Sequence, residues 1–245
     1  LQTRVVDIAD HPAGLLVTLE NTRSGEIREE SFARVLVAVG RRPFTDHLDL
    51  PLAGLSPADR GFLETNADGR TAHPRILAAG DLAGNPMLAH KATHEARALV
   101  SRLLQRDAHP SPHVPAVVFT DPEIAWVGLT GAQAKELEIE ARVSKFPWAA
   151  SGRALTLDRP DGVTKILADP ASGRLLGVGI AGPGAGDLIA EATLALEMNA
   201  TATDLARTIH PHPTLSETLP KPLNSISASA PISPPRSTLP NLIVR

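Results

Sequence analysis

The most chemically suggestive residues stand in one run near the carboxy-terminal end: His210-Pro211-His212-Pro213-Thr214-Leu215-Ser216-Glu217. His212 and Glu217 set an imidazole and a carboxylate five positions apart, and the prolines stiffen the approach. A carboxylate that holds one ring nitrogen fixes the tautomer and raises the basicity of the other, which is how a general base is built. The same residues fit a second role, because Thr214-x-x-Glu217 is also a capping box in which Glu217 satisfies the first turn of a helix. His210 and His212 are spaced as metal ligands can be, but no third ligand sits nearby in sequence and no metal is expected. Spacing alone leaves base and cap open.

A second signal is Ala78-Ala79-Gly80-Asp81, where an apolar run ends in a carboxylate. Beyond the carboxyl end of a sheet strand an acid lies where ligands bind; Gly-Asp is equally a common turn. The run Met87-Leu88-Ala89-His90-Lys91-Ala92 opens a helical pattern, whose free N–H groups and partial positive charge suit an anionic ligand edge. Ordinary packing of a helix start would look the same. Gly177-Val-Gly179-Ile-Ala-Gly182 matches G-x-G-x-x-G, but the acid that should end the following strand is lacking. Glu197 has the distance and lies in a helical stretch, so the run reads as a glycine-rich connection.

Three segments and a tail must position these residues. Residues 1–40 read as a β-meander, with Leu15–Leu19 as one strand and the apolar run Val35–Val39 as another, buried on both faces and stopped at Pro43. Next come a short buried strand over Arg75–Asp81 and a helix from Leu88 to Arg106. Ala92, Ala96, Leu99, Val100, Leu103 and Leu104 give that helix an apolar stripe. Proline-rich Asp107–Pro115 marks a boundary. Strands are expected at Ala116–Thr120, Ala141–Phe146, Val163–Ala168 and Leu175–Ile180. Helices are expected at Gly131–Leu137, Gly186–Met198 and Thr203–Thr208, the first with a Thr130/Gln133 capping box. After Glu217 the chain turns Ser/Pro-rich, with Lys221, Arg236 and Arg245 and no acid, and is expected to be disordered.

Composition narrows the classes. The 245 residues are 42% hydrophobic and 21% charged, an ordinary globular balance. A formal net charge of −3 leaves no basic surplus for a nucleic-acid binder. No apolar stretch approaches a membrane span and no signal peptide opens the chain, so a cytoplasmic location without membrane partners is expected. There is no cysteine, hence no disulfide, thiolate metal site or thiol nucleophile within these residues.

The run His210–Glu217 resembles the carboxy-terminal signature of the pyridine nucleotide-disulfide oxidoreductases, most closely of their dihydrolipoyl dehydrogenase branch. The resemblance implies that His212 is the acid/base for a dithiol substrate and Glu217 the carboxylate that orients it, the pair serving the partner subunit of a homodimer. Thr71–Asp81 is similar to the family's second flavin fingerprint, which implies that Gly80 and Asp81 bind FAD through its ribityl chain. Met87, Leu88, Ala89 and His90 resemble the flavin-contacting helix start of the lipoamide enzyme. Val39-Gly40-Arg41-Arg42-Pro43-Phe44 resembles the turn leaving the NAD domain, with Gly40 approaching the nicotinamide cofactor. Asp121–Gly128 resembles the start of the interface domain and reads as structural.

The fold class implied is α/β plus α+β, an incomplete Rossmann-like part followed by a dimerisation domain. The expected division is residues 1–42 as the end of the NAD-binding domain, 43–112 as part of the FAD-binding domain, 113–217 as the dimerisation domain and 218–245 as an aberrant tail. The implied cofactors are FAD and NAD, and the implied partner is dihydrolipoamide on the lipoyl domain of a 2-oxoacid dehydrogenase complex. The family's amino-terminal FAD loop, redox cysteine pair and nucleotide loop are missing, so the chain is expected to be the carboxy-terminal half of a longer enzyme, inactive alone. A non-catalytic dimerisation module and a glutathione reductase-like enzyme are the alternatives.

Overall fold

A computed structural model describes residues 2–108 and 111–223. The first sheet is an antiparallel meander of β1 (Thr3–His11), β2 (Gly14–Asn21) and β3 (Ile27–Phe32), with β2 in the centre. The expected Leu15–Leu19 strand lies inside β2, where Val17 and Leu19 are buried.

The run Val35–Val39 forms no strand. Leu36 and Val39 are 91% and 92% exposed. A run buried on both faces needs a neighbouring strand on each side, and none of the described strands pairs with it. Arg75–Asp81 likewise shrinks to one bridge between Arg70 and Leu77, followed by a helical turn over Gly80–Leu82. Ala78 joins Leu50, Leu55 and Leu63 in a small core of its own.

The helix α1 (Ala89–Leu103) forms where expected, but its apolar stripe does not face a core. Only Lys91 and Ala98 are buried on it, and Val100, Leu103 and Leu104 are more than half exposed. Its first turns pack instead on the Gly80–Leu82 turn.

Beyond residue 115 the chain forms a five-stranded antiparallel sheet from β4 (Ala116–Val118), β5 (Ile124–Gly128), β6 (Arg142–Pro147), β7 (Val163–Ala168) and β8 (Leu175–Ala181), in the order β4-β5-β8-β7-β6. Helices α2 (Gly131–Glu136), α3 (Gly152–Thr156), α4 (Ala185–Glu197) and α5 (Ala202–Arg207) complete it. α4 lies on β5 and β8, and its Ile189, Ala192 and Leu196 close a core with Val127, Trp148, Ile166 and Ile180. Strand β5 and helix α3 were not expected from sequence. The Thr130/Gln133 capping box is present with both of its hydrogen bonds.

β8 is antiparallel to both its neighbours, so its glycines sit in no βαβ unit and the dinucleotide reading fails as expected. Close packing calls for glycine here instead: a Cβ on Gly177 would fall 2.0 Å from the Leu129 carbonyl oxygen, and one on Gly182, just past β8, 2.3 Å from the Trp148 ring. The expected disordered tail begins too early, because Thr218 and Leu219 are fully buried and Lys221 lies 5.5 Å from the Phe146 ring centroid. The remainder of that expectation, with Arg236 and Arg245, lies outside the described residues. Among the described residues no helix is long and apolar enough to cross a membrane.

Candidate active site

Between α5 and a helical turn over Ser216–Thr218, the segment 208–215 has no regular structure and is held by side chains. Glu217 is its organiser. Its carboxylate oxygens lie 3.0 and 3.2 Å from His212 Nδ1, and one of them accepts the Thr214 backbone N–H at 3.0 Å. One side chain therefore makes a contact of each kind, to the His212 ring and to the Thr214 backbone. The capping box is only half made: the Thr214 hydroxyl donates to the Pro211 carbonyl at 2.6 Å and lies 2.8 Å from the Ser216 hydroxyl.

With a carboxylate at Nδ1, that nitrogen carries the proton and donates it, which leaves the lone pair on Nε2. His212 Nε2 has no partner among the described residues, and the His212 side chain is 75% exposed while that of Glu217 is 19% exposed. The pair thus presents a basic nitrogen outward on a carboxylate anchored to the fold. The Thr214 N–H, and after it the His212 ring, hold the Glu217 carboxyl below the usual carboxylate range.

The segment is tied down at both ends. His210 turns away from His212, with Nδ1 2.9 Å from the Thr208 carbonyl oxygen and Nε2 2.7 Å from Glu191 on α4. At the other end Thr218 accepts a hydrogen bond from Thr164 on β7, which in turn accepts the Trp148 indole N–H. Sequence reasoning found neither anchor. Partners 19 and 54 positions apart leave no spacing signal.

The second group of expected residues gathers at the start of α1. Gly80 has a φ of +71°, which a glycine adopts at little cost. Its N–H donates to Glu95 at 2.7 Å, and its carbonyl accepts from Lys91 at 3.2 Å. Lys91 also donates to the Gly84 carbonyl at 3.1 Å and pairs with Glu95 at 2.9 Å. Lys91 and Glu95, i and i+4 on the helix, therefore clamp the turn that carries Asp81. The reading by residue type missed this clamp, whose available signal was a lysine within an apolar pattern.

Asp81 itself is half-buried, and its carboxylate has no partner among the described residues. Leu88 precedes α1 without a side-chain cap, so the first-turn N–H groups from Ala89 onward are open. Arg41 donates to the Met87 carbonyl, which brings the Gly40 turn beside Met87. Gly40 is exposed at φ +121° with open space where a Cβ would stand. A cleft of about 380 Å³ opens there between Arg41, Arg60, Phe62 and Met87. His90 Nε2 lies 2.7 Å from the Pro115 carbonyl oxygen and faces the entry to the second sheet. A free half-buried acceptor beside open helix N–H groups fits a ligand with hydroxyls and an anionic edge, as a flavin has.

No hydrogen bond or ion pair among the described residues joins His212 or Glu217 to Gly80, Asp81 or the Met87–His90 run.

The pyridine nucleotide-disulphide oxidoreductase model matches residues 1–96, and the dimerisation domain model of the same family matches residues 114–222. A dihydrolipoyl dehydrogenase of Thermus scotoductus is 48% identical over 217 residues, covering 89% of this chain and 47% of that protein. The mitochondrial dihydrolipoyl dehydrogenase of Caenorhabditis elegans is 41% identical over 89% of this chain and 44% of its own length. Among solved structures, LpdA from Mycobacterium tuberculosis superposes with a TM-score of 0.80 at 28% identity, over 91% of this chain and 48% of that one. The flavoprotein disulfide reductase RclA from Escherichia coli gives 0.79 at 25% identity, over 90% and 50%. The chain spans about half the length of the curated relatives it matches. In sequence and in fold, a Rossmann-like part followed by a dimerisation domain, this chain belongs to the pyridine nucleotide-disulphide oxidoreductase family.

Proposed function

We propose that this chain carries the acid/base group of a dihydrolipoyl dehydrogenase-like enzyme, which oxidises dihydrolipoamide to lipoamide and reduces NAD. The observation that carries the reading is His212 held at Nδ1 by Glu217, with Nε2 bare and exposed. Nε2 takes the proton of a substrate thiol, and the thiolate so formed is the nucleophile that dithiol–disulfide exchange requires. Glu217 keeps the Nδ1–H tautomer and stabilises the imidazolium that results.

The division into residues 1–42, 43–112 and 113–217 as NAD, FAD and dimerisation regions belongs to this reading. When bound, FAD supplies the two-electron relay between the dithiol couple and the nicotinamide. Asp81 would hold it through the ribityl chain, and the open N–H groups of Ala89 and His90 would suit an anionic ring edge. Gly40 lets the backbone approach NAD. The match of residues 114–222 to the family's dimerisation domain supports a homodimer in which the base serves the partner subunit. The outer substrate is a lipoyl domain, and the location is cytoplasmic.

With no cysteine in its 245 residues, the chain draws the redox disulfide from elsewhere and oxidises no dithiol by itself. The same fact favours a second reading, a non-catalytic dimerisation module. A chimera tests both: the amino-terminal half of the Thermus scotoductus relative joined to this chain, assayed for dihydrolipoamide-dependent NADH formation. His212→Gln should lower turnover by about 10²–10⁴-fold, the usual contribution of a general base, with the flavin spectrum intact. Near-unchanged turnover in that variant overturns the base assignment. A chimera without flavin favours the module.

A further inference from the structure

His210 stands in the same run as His212 but faces the opposite way. Only 6% of its side chain is exposed, and both ring nitrogens meet oxygen atoms. Nδ1 faces the Thr208 carbonyl, which can only accept; Nε2 faces Glu191, whose side chain is 33% exposed and so retains hydration for its charge. An ionised carboxylate also only accepts. Two acceptors thus face the two ring nitrogens, an arrangement that a ring donating from both would satisfy.

Its place in the chain gives this ring leverage. Pro211 and Pro213 flank His212 and restrict the backbone on both sides. The Thr214 hydroxyl fastens the Pro211 carbonyl at 2.6 Å, closing a compact loop around His212. An anchor at His210 is thus transmitted to the next histidine with few free torsions between them. At the far side Glu217 is fixed through Thr214 and through its neighbour Thr218. Without the His210 contact, the loop would be secured from that far side alone.

We propose that His210, as an imidazolium between Glu191 and Thr208, is a positioning residue that sets His212 against Glu217. This rests on the reading of His212 as the base. Its test, however, reads ring protonation in the full chain and requires no turnover, so the two can fail separately.

The chain labelled with ¹⁵N-histidine, observed at neutral pH in long-range ¹H–¹⁵N spectra, should show two protonated nitrogens for His210 and a neutral Nδ1–H ring for His212. In Glu191→Gln, His210 should become neutral, and the Nδ1–H population of His212 should fall by about half as its ring is released. His210→Ala should produce the same loss at His212. A neutral His210 in the unaltered chain overturns the proposal. So does an unchanged His212 tautomer in both variants. Loss of the native Trp148 indole resonance in both would make the pair a folding element and would also overturn it.

Discussion

Thr164 and Thr218 hydrogen-bond at 2.9 Å across 54 residues of sequence, and neither is exposed to solvent. The Thr164 hydroxyl donates to Thr218 and accepts the Trp148 indole N–H at 2.9 Å, so the position beside Glu217 is pinned to β7 of the second sheet. Thr164→Val preserves the side-chain shape and orphans both the indole N–H and the Thr218 hydroxyl. A buried unsatisfied polar group costs about 1–3 kcal/mol. The urea midpoint followed by tryptophan fluorescence should fall accordingly, and Thr164→Ser should recover most of the loss. A valine variant as stable as the parent would show the relay to be incidental.

Glu217 makes stability depend on acid. The Thr214 N–H and then the His212 ring hold its carboxyl below the ordinary carboxylate range, while in the unfolded chain it titrates near the usual value of about 4.3. A lowered folded value means the unfolded state takes up the proton first as pH falls. The contribution is therefore complete above the ordinary range and is lost as pH drops through the lowered value. The parent chain should exceed Glu217→Gln in denaturant midpoint at neutral pH. That gap should narrow on acidification below the ordinary carboxylate range and close at strongly acid pH. A gap that stayed constant over the whole titration would mean the carboxylate charge contributes nothing.

What could be read ahead of the structure was local chemistry. His212 with Glu217, Thr130 with Gln133, and the cores of α2, α4 and α5 all depend on neighbours within a few positions, where residue type and spacing are sufficient. Val35–Val39 illustrates the opposite case. An apolar β-rich run states a preference, but a strand exists only where partners accept its hydrogen bonds, and the described strands offer none. In α1 the helical period was correct and the expected face is covered only in part: Ala92 packs on the turn at Gly80, which also holds Lys91, while Val100, Leu103 and Leu104 stay more than half exposed. Glu191, Thr164 and Trp148 act on the site through contacts that only the tertiary fold creates.

Gly80 and Gly84 offer the last discrimination, because they separate backbone strain from close packing in one turn. Both have positive φ, +71° and +137°, so alanine is strained at either. They differ in surroundings: a Cβ on Gly80 would stand 2.7 Å from the Ala92 Cβ, whereas one on Gly84 would meet nothing within 4 Å. Overpacking typically adds about 1–3 kcal/mol at the contact itself, so Gly80→Ala should loosen α1, which carries Ala92, more than Gly84→Ala does. Amide hydrogen exchange along α1 measures the difference directly. If Asp81 holds the flavin, the ranking should carry into function. Pushing Gly80 off Ala92 strains its bonds to Lys91 and Glu95 and displaces the adjoining carboxylate. Flavin retention in the chimera should then fall further for Gly80→Ala than for Gly84→Ala. Equal retention with unequal exchange would leave the turn its structural role and remove Asp81 from the cofactor site.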